Sequence, residues 1–233
     1  MKTLKLTLTA NAGVILEQKK HTVLVDALHR EKTYEFSTLT AQQSENLLER
    51  YTREQPDLYL TTHFHPDHYS ASLLERARKK WPACIFFGPD ADLGRAFHFS
   101  VAGISVDAAV LPHDGKEYKD VINYGYFLGI EGCNILFLGD CATTAASSVG
   151  ALVAGRRVDL AVLNFPWVCL DHARATVEKV ILPQAVAVVH LPFREDDLSG
   201  FREAAFRDSC KLANTDIRIM AERMQEARFS FRL

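Results

Sequence analysis

The amino-acid sequence predicts a mixed α/β fold, a four-layer αββα sandwich with two sheets face to face and helices outside. Three observations carry this expectation. Short apolar runs of strand length alternate with amphipathic stretches in the order strands, helices, strand, and the order then repeats. Several of those runs end on a histidine or an aspartate, as chains do that place function on loops at one edge of a scaffold. The spacing also repeats: His113 lies 50 residues after His63, and His190 lies 50 residues after Asp140, consistent with two similar halves. The 233 residues, 48% of them apolar, are read as one domain spanning 1–233 with a sizeable core.

Leu4–Thr9 and Gly13–Gln18 read as strands around an Ala-Asn-Ala-Gly turn, and Thr22–Asp26 follows a second turn, giving an antiparallel meander. Residues 27–36 are polar and irregular, and His29, Arg30 and Tyr34 within them are candidate substrate contacts at a pocket mouth. Thr40 is placed to cap a helix running to Tyr51. Leu58–Leu60 reads as a buried strand, Ser70–Lys80 as an amphipathic helix with a solvated basic end, and Cys84–Phe87 and Ile104–Leu111 as further strands. Tyr124–Ile130, a Glu-Gly-Cys turn and Asn134–Leu138 form a β-hairpin. A helix over 143–150, a strand over Leu160–Asn164, a helix over Asp171–Ile181 and an all-apolar, parallel-type strand ending at His190 come next. A helix over Asp197–Asn214 and two short strands near Ile217–Met220 and Arg228–Phe231 complete the chain.

The chemistry concentrates in Thr62-His63-Phe64-His65-Pro66-Asp67-His68, immediately after the Leu58–Leu60 strand. In extended chain the side chains of residues i and i+2 point the same way, so His63 and His65 can address one point. Pro66 ends the strand, and Asp67 and His68 beyond the bend can address a second point nearby. Imidazole nitrogens and carboxylate oxygens suit zinc and similar divalent ions. Any one of these residues alone reads more readily as a satisfied surface or core group, but four together would leave many polar atoms to satisfy in a core.

The HxHxDH run after a buried strand resembles the signature of the metallo-β-lactamase superfamily. That family's other positions also find matches in order: Asp26 at the end of an earlier strand, His113 before the hairpin, Asp140 after it, and His190 after the parallel-type strand. The resemblance therefore covers most of the chain. It implies one metal held by His63, His65 and His113, a second by Asp67, His68 and His190, and Asp140 between them. It also implies that Asp26 orients a ligand histidine and that Asp67 relays a proton to the leaving group. Asp140 alone also fits a helix N-cap, and Cys141 stands where many relatives carry threonine. His98 belongs to none of these motifs. The implied cofactors are two divalent cations, zinc first, with manganese or iron as alternatives.

The implied function is a dinuclear metal-dependent hydrolase in which a hydroxide bridging the metals cleaves an ester, lactone or phosphoester of a small metabolite. The compact length resembles the branch of L-ascorbate-6-phosphate lactonase-like enzymes, from which the Cys141 and Asn164 segments depart. The alternatives are a diiron redox enzyme, against which His65 and the lack of a flavodoxin-like segment argue, and a non-catalytic metal-binding member of the fold. Arg194 is a candidate for an anionic group on the substrate, and Trp167 for an apolar wall. A net charge of −2 gives no footprint for nucleic acid or a membrane surface. Five cysteines without CxxC spacing, no signal segment and no apolar run of membrane-spanning length point to a cytoplasmic protein acting on a small molecule.

Overall fold

The computed structural model describes residues 2–89, 94–212 and 215–231. The first sheet begins as the expected meander of β1 (Lys2–Ala10), β2 (Gly13–Gln18) and β3 (His21–Val25), all antiparallel. It continues through β4 (Leu58–Leu60) and β5 (Ile85–Phe87), both parallel to β3. Two helices connect these strands: α1 (Ala41–Arg50) and α2 (Ala71–Lys80). Thr40 caps α1 as the sequence predicts. Its hydroxyl accepts from the Gln43 amide, and the Gln43 side chain accepts from the Thr40 amide. Leu73, Leu74 and Ala77 are the buried stripe of α2. The basic run at its end pairs with α1, through Arg76 with Glu45 and Lys80 with Glu49.

The second sheet has the same plan. Antiparallel strands β6 (Phe97–Val101), β7 (Ile104–Leu111), β8 (Asn123–Ile130) and β9 (Cys133–Phe137) lead into parallel β10 (Leu160–Asn164), β11 (Ala185–Val189) and β12 (Asp216–Ile219). Its outer face carries α3 (Ala146–Val153), α4 (Pro166–Cys169), α5 (Asp171–Thr176) and α6 (Phe201–Ser209). Finally β13 (Gln225–Phe231) returns to the first sheet and pairs antiparallel with β1. The four layers of the expected sandwich follow from strand periodicity. In β10, Leu160 and Val162 join the core between the sheets, whereas Ala161 and Leu163 join the second core beneath the helices. No helix among the described residues is long and apolar enough to cross a membrane.

The structure corrects three element expectations. Strand β6 was not foreseen; its burial alternates between half-buried and exposed, so it lacks the apolar signal of a covered strand. His98 on β6 is exposed and pairs with Asp107 on β7. The last long helix starts at Phe201 instead of Asp197, because the Asp197 carboxylate accepts the amides of Phe201 and Arg202 while Gly200 turns with φ +76°. Residues 213–214, where that helix was expected to end, lie outside the described residues. The helix over 143–150 starts at Ala146, so Asp140 does not cap it.

Trp81 at the end of α2 is fully buried, donates from Nε1 to the Leu48 carbonyl at 3.1 Å, and stands edge-on to Tyr51. Trp81→Ala is expected to destabilise the fold by ~3–5 kcal/mol through the cavity it leaves. Urea unfolding would show this as a lower midpoint, and an unchanged midpoint would contradict the packing role.

Candidate metal centre

The ligand candidates sit at one edge of the sandwich because each lies just beyond the end of a strand. Asp26 follows β3, the histidine-rich segment follows β4, His113 follows β7, Asp140 follows β9 and His190 follows β11. Two of these turns use left-handed backbone: Asp26 has φ +49° and His190 φ +60°. Few non-glycine residues accept this, and aspartate and histidine are among the more tolerant. Hydrogen bonds hold both turns, from the Asp26 amide to the Leu60 carbonyl and from the His190 amide to the Asn11 carbonyl. Before Asp140 the turn residue must be Gly139, since it has φ +55° and a Cβ there would lie 2.2 Å from Asn123 Oδ1.

All seven predicted ligands come together, in two groups. His63, His65, His113 and Asp140 form one, and Asp67, His68 and His190 the other; within each group the candidate donor atoms lie within 4.8 Å of one another. Asp140 stands between the groups. Its Oδ2 is 3.7 Å from His63 Nε2, 3.8 Å from His113 Nε2 and 3.4 Å from His190 Nε2, and its Oδ1 is 3.2 Å from His68 Nε2. Ligands sharing a tetrahedral cation with bonds of 2.0–2.1 Å stand roughly 3.3 Å apart, so these separations suit donors around a common ion.

Whether the residues fit a metal is decided by their unpaired atoms. Nε2 of His63 and Nε2 of His113 are buried and have no hydrogen-bond partner. Leaving such an atom unsatisfied costs ~1–3 kcal/mol, and a cation would satisfy both. The tautomers agree with this. The Thr62 hydroxyl donates to Asp26 Oδ2 (2.6 Å), so its oxygen accepts from His63 Nδ1 (2.9 Å). His68 Nδ1 donates to the same Asp26 oxygen (2.9 Å), and His113 Nδ1 donates to the Asp114 carbonyl (2.6 Å). With the proton on Nδ1, the Nε2 lone pair of each ring is turned toward the centre, as metal-binding imidazoles require. The donor set fits divalent cations.

The charges are strongly coupled. Burial, reinforced by the neighbouring His68, holds His63 well below the usual imidazole range. Burial and the nearby His113 lower His65 in the same sense. Burial opposes a charge on His68, yet Asp140, with help from Asp26 and Asp67, raises it well above its usual value. Burial also opposes ionisation of Asp140, and His190, His68 and His63 override it, so its carboxyl is held well below the usual range.

Several supporting residues carried no sequence signal strong enough to single them out. Asn11 donates from Nδ2 to Asp67 Oδ2 (3.0 Å), Asn164 donates to Asp140 Oδ1 (2.7 Å), and Asn123 accepts the Asp140 amide (3.0 Å). Thr62, adjacent to His63, was the most findable, since a hydroxyl beside a ligand imidazole is a natural relay to Asp26. Tyr118 packs against His65 and His113, with ring centroids 4.7 and 5.1 Å away. Phe36 meets His190 edge-on at 4.1 Å.

A cavity of about 250 Å³ opens beside Asp140, His113 and His190, and Phe36, Tyr118, Phe165 and Trp167 also line it. Trp167 lines it while being 1% exposed. The other four substrate candidates do not line it. His29 is fully buried beneath the site, donating from Nε2 to the Ala10 carbonyl (3.1 Å), and it is Phe36 from the same loop that reaches the cavity. Arg194 is exposed and does not line the cavity, because the chain turns outward after the buried Phe193. Arg30 and Tyr34 are likewise exposed and outside the lining. Cys141 does line the cavity, and burial pushes its thiol up to about 12.

An αββα sandwich with His/Asp groups gathered at one edge defines a protein of the metallo-β-lactamase fold. The sequence profile of the β-lactamase superfamily domain matches residues 5–164, and the chain belongs to that superfamily. Solved structures agree. A metallo hydrolase from the hyperthermophilic archaeon Ignicoccus hospitalis aligns with TM-score 0.68 at 17% identity, over 99% of this chain and 100% of that one. The metallo-β-lactamase fold protein YhfI from Bacillus subtilis aligns with TM-score 0.67 at 14% identity, over 98% and 100%. CmlA, a diiron β-hydroxylase from Streptomyces venezuelae, aligns with TM-score 0.61 at 14% identity, over 99% of this chain and 55% of that one. No curated protein matches the sequence significantly.

Two outcomes follow from this geometry. Asp26→Asn is expected to weaken metal binding ~10–100-fold without unfolding the chain, because the partner that orients His68 loses its charge; a chelator competition titration reads this, and unchanged affinity would refute the role. His29 supplies a pH test. Burial lowers it to about 4, whereas an unfolded histidine protonates near ~6.5. Between those values the unfolded chain binds a proton that the folded chain refuses. His29 therefore leaves stability intact above the unfolded value and weakens it as pH falls toward the folded one, by at most ~1.4 kcal/mol per pH unit. Denaturant titrations at pH 7 and 5 should show a shallower loss for His29→Gln than for the parent, and equal losses would remove the assignment.

Proposed function

We propose that this protein is a dinuclear metal-dependent hydrolase acting on an ester, lactone or phosphoester of a small molecule. The observation that carries the reading is the pair of His/Asp groups meeting at Asp140 with two buried imidazole nitrogens left unpaired. His63, His65 and His113 would hold one divalent cation, Asp67, His68 and His190 the other, and Asp140 would stand between them. Divalent cations in such a site supply Lewis acidity and lower the pKa of water from ~15.7 to about 7.

The chain's own residues have distinct tasks. Asp26 keeps the proton of His68 on Nδ1 and, through the Thr62 hydroxyl, that of His63 as well. Asn11 and Asn164 fix the carboxylates of Asp67 and Asp140. Asp67, buried beside His190, would pass a proton to the leaving group. The aromatic side chains around the cavity keep bulk water from the scissile bond.

Elemental analysis of the purified protein combined with a panel of chromogenic esters, lactones and phosphodiesters tests the proposal. About two equivalents of divalent metal are expected, with turnover that chelation abolishes and metal restores, and that Asp140→Ala removes. Full metal occupancy without turnover on any panel member would favour a non-catalytic role. Iron with oxygen consumption would favour redox chemistry of the kind performed by the diiron β-hydroxylase that shares the fold.

A further inference from the structure

The cavity beside the metal centre carries information about the part of a substrate that does not react. Its floor is Asp140, His113 and His190, and the remaining wall is dominated by rings. Phe36 stands against His190, Phe165 stacks on Phe201 at 4.8 Å, and Trp167 is 1% exposed. The polar groups in the wall are already engaged: Thr143 Oγ1 lies 2.9 Å from His172 Nε2, and Asn164 donates to Asp140. Among the described residues no lysine or arginine lines the cavity, and the one charged lining residue outside the ligand candidates is Asp114, a carboxylate. Arg174, buried under α4, is committed to the carbonyls of Val168 and Cys169 and to Asp171. At about 250 Å³ the space falls below the ~300–1,000 Å³ of common ligand pockets, enough for one ring or a short branched chain.

We propose that the site selects substrates whose non-reacting part is small, uncharged and apolar, an aryl or branched alkyl group on a carbonyl-type electrophile, and rejects those bearing a carboxylate or phosphate tail. The proposal rests on the hydrolase reading above and narrows it. An anionic tail against the ring-lined wall would lose its water, meet Asp114 and find no basic side chain, while the cations at the floor would be taken up by the reacting group, and unpaired buried charge is strongly disfavoured. An aromatic ring would instead displace water from the half-buried rings of Phe36, Tyr118 and Phe165.

A matched pair of esters tests this on the metal-loaded protein: 4-(hydroxymethyl)phenyl acetate and 4-carboxyphenyl acetate share the reacting group and differ in the charge of the tail. The neutral ester is expected to show kcat/KM at least ten-fold higher, with the difference mainly in KM. Asp114→Lys should narrow the gap by lowering KM for the anionic ester alone. Equal or better hydrolysis of the anionic ester by the parent protein would overturn the inference while leaving the hydrolase reading intact. If the metal-loaded protein hydrolysed neither ester nor any member of the wider panel, the hydrolase reading would fail, and binding would then decide the inference. Saturation-transfer NMR with p-cresol and with 4-hydroxybenzoate should detect the cresol at lower concentration, and any other order of binding would overturn the proposal.

Discussion

The geometry of the centre depends on a hydrogen-bond chain that starts at one carboxylate. Asp26 accepts from the Thr62 amide, the Thr62 hydroxyl and His68 Nδ1, and the Thr62 oxygen in turn accepts from His63. A single fixed anion thereby sets the tautomer and direction of two rings. It sits at the end of β3, and its own backbone is clamped to β4 through the Leu60 carbonyl. The parallel register of β3 with β4, Val25 opposite Leu60, brings Asp26 level with the histidine-rich segment. Sheet geometry and the orientation of imidazole nitrogens are thus one constraint. The second half supplies its counterpart with Asn123 and Asn164, which hold the backbone and the carboxylate of Asp140.

The site is also electrostatically dense. Four imidazoles surround Asp140, and His68 and His190 face each other through their Nε2 atoms at 3.1 Å. Burial and mutual repulsion lower the pKa of His63 while the carboxylates raise that of His68. Such an arrangement is poor as a purely structural core, because several donors point at one another across too little space. It becomes reasonable when cations take the lone pairs. The wall on the far side has the opposite character, aromatic and without a basic side chain among the described residues.

The ligand candidates were legible because their chemistry is rare and their positions regular: scarce histidines and aspartates fall where apolar runs stop. The two sheets were legible from strand periodicity, most strongly where β11 is apolar throughout and β10 is apolar up to Asn164. What sequence did not reveal depends on tertiary position. His29 and Phe36 share an irregular polar loop, and nothing local shows that the histidine is fully buried while the phenylalanine faces the cavity. Arg194 follows His190 by four residues, yet nearness along the chain failed to predict nearness in space once Phe193 turned inward. Strand β6 escaped detection because an edge strand with alternating half-exposed residues carries little hydrophobic signal.

The return of β13 to pair with β1 bears on how the chain assembles. Lys2 aligns with Phe231 and Leu8 with Gln225, so β1 gains its outer neighbour from a strand more than 200 residues further along the chain. Closing so long a loop is entropically slow, and topologies rich in distant pairings fold slowly. During synthesis the outer edge of β1 would wait, unpaired and able to template a foreign strand, until residues 225–231 had emerged.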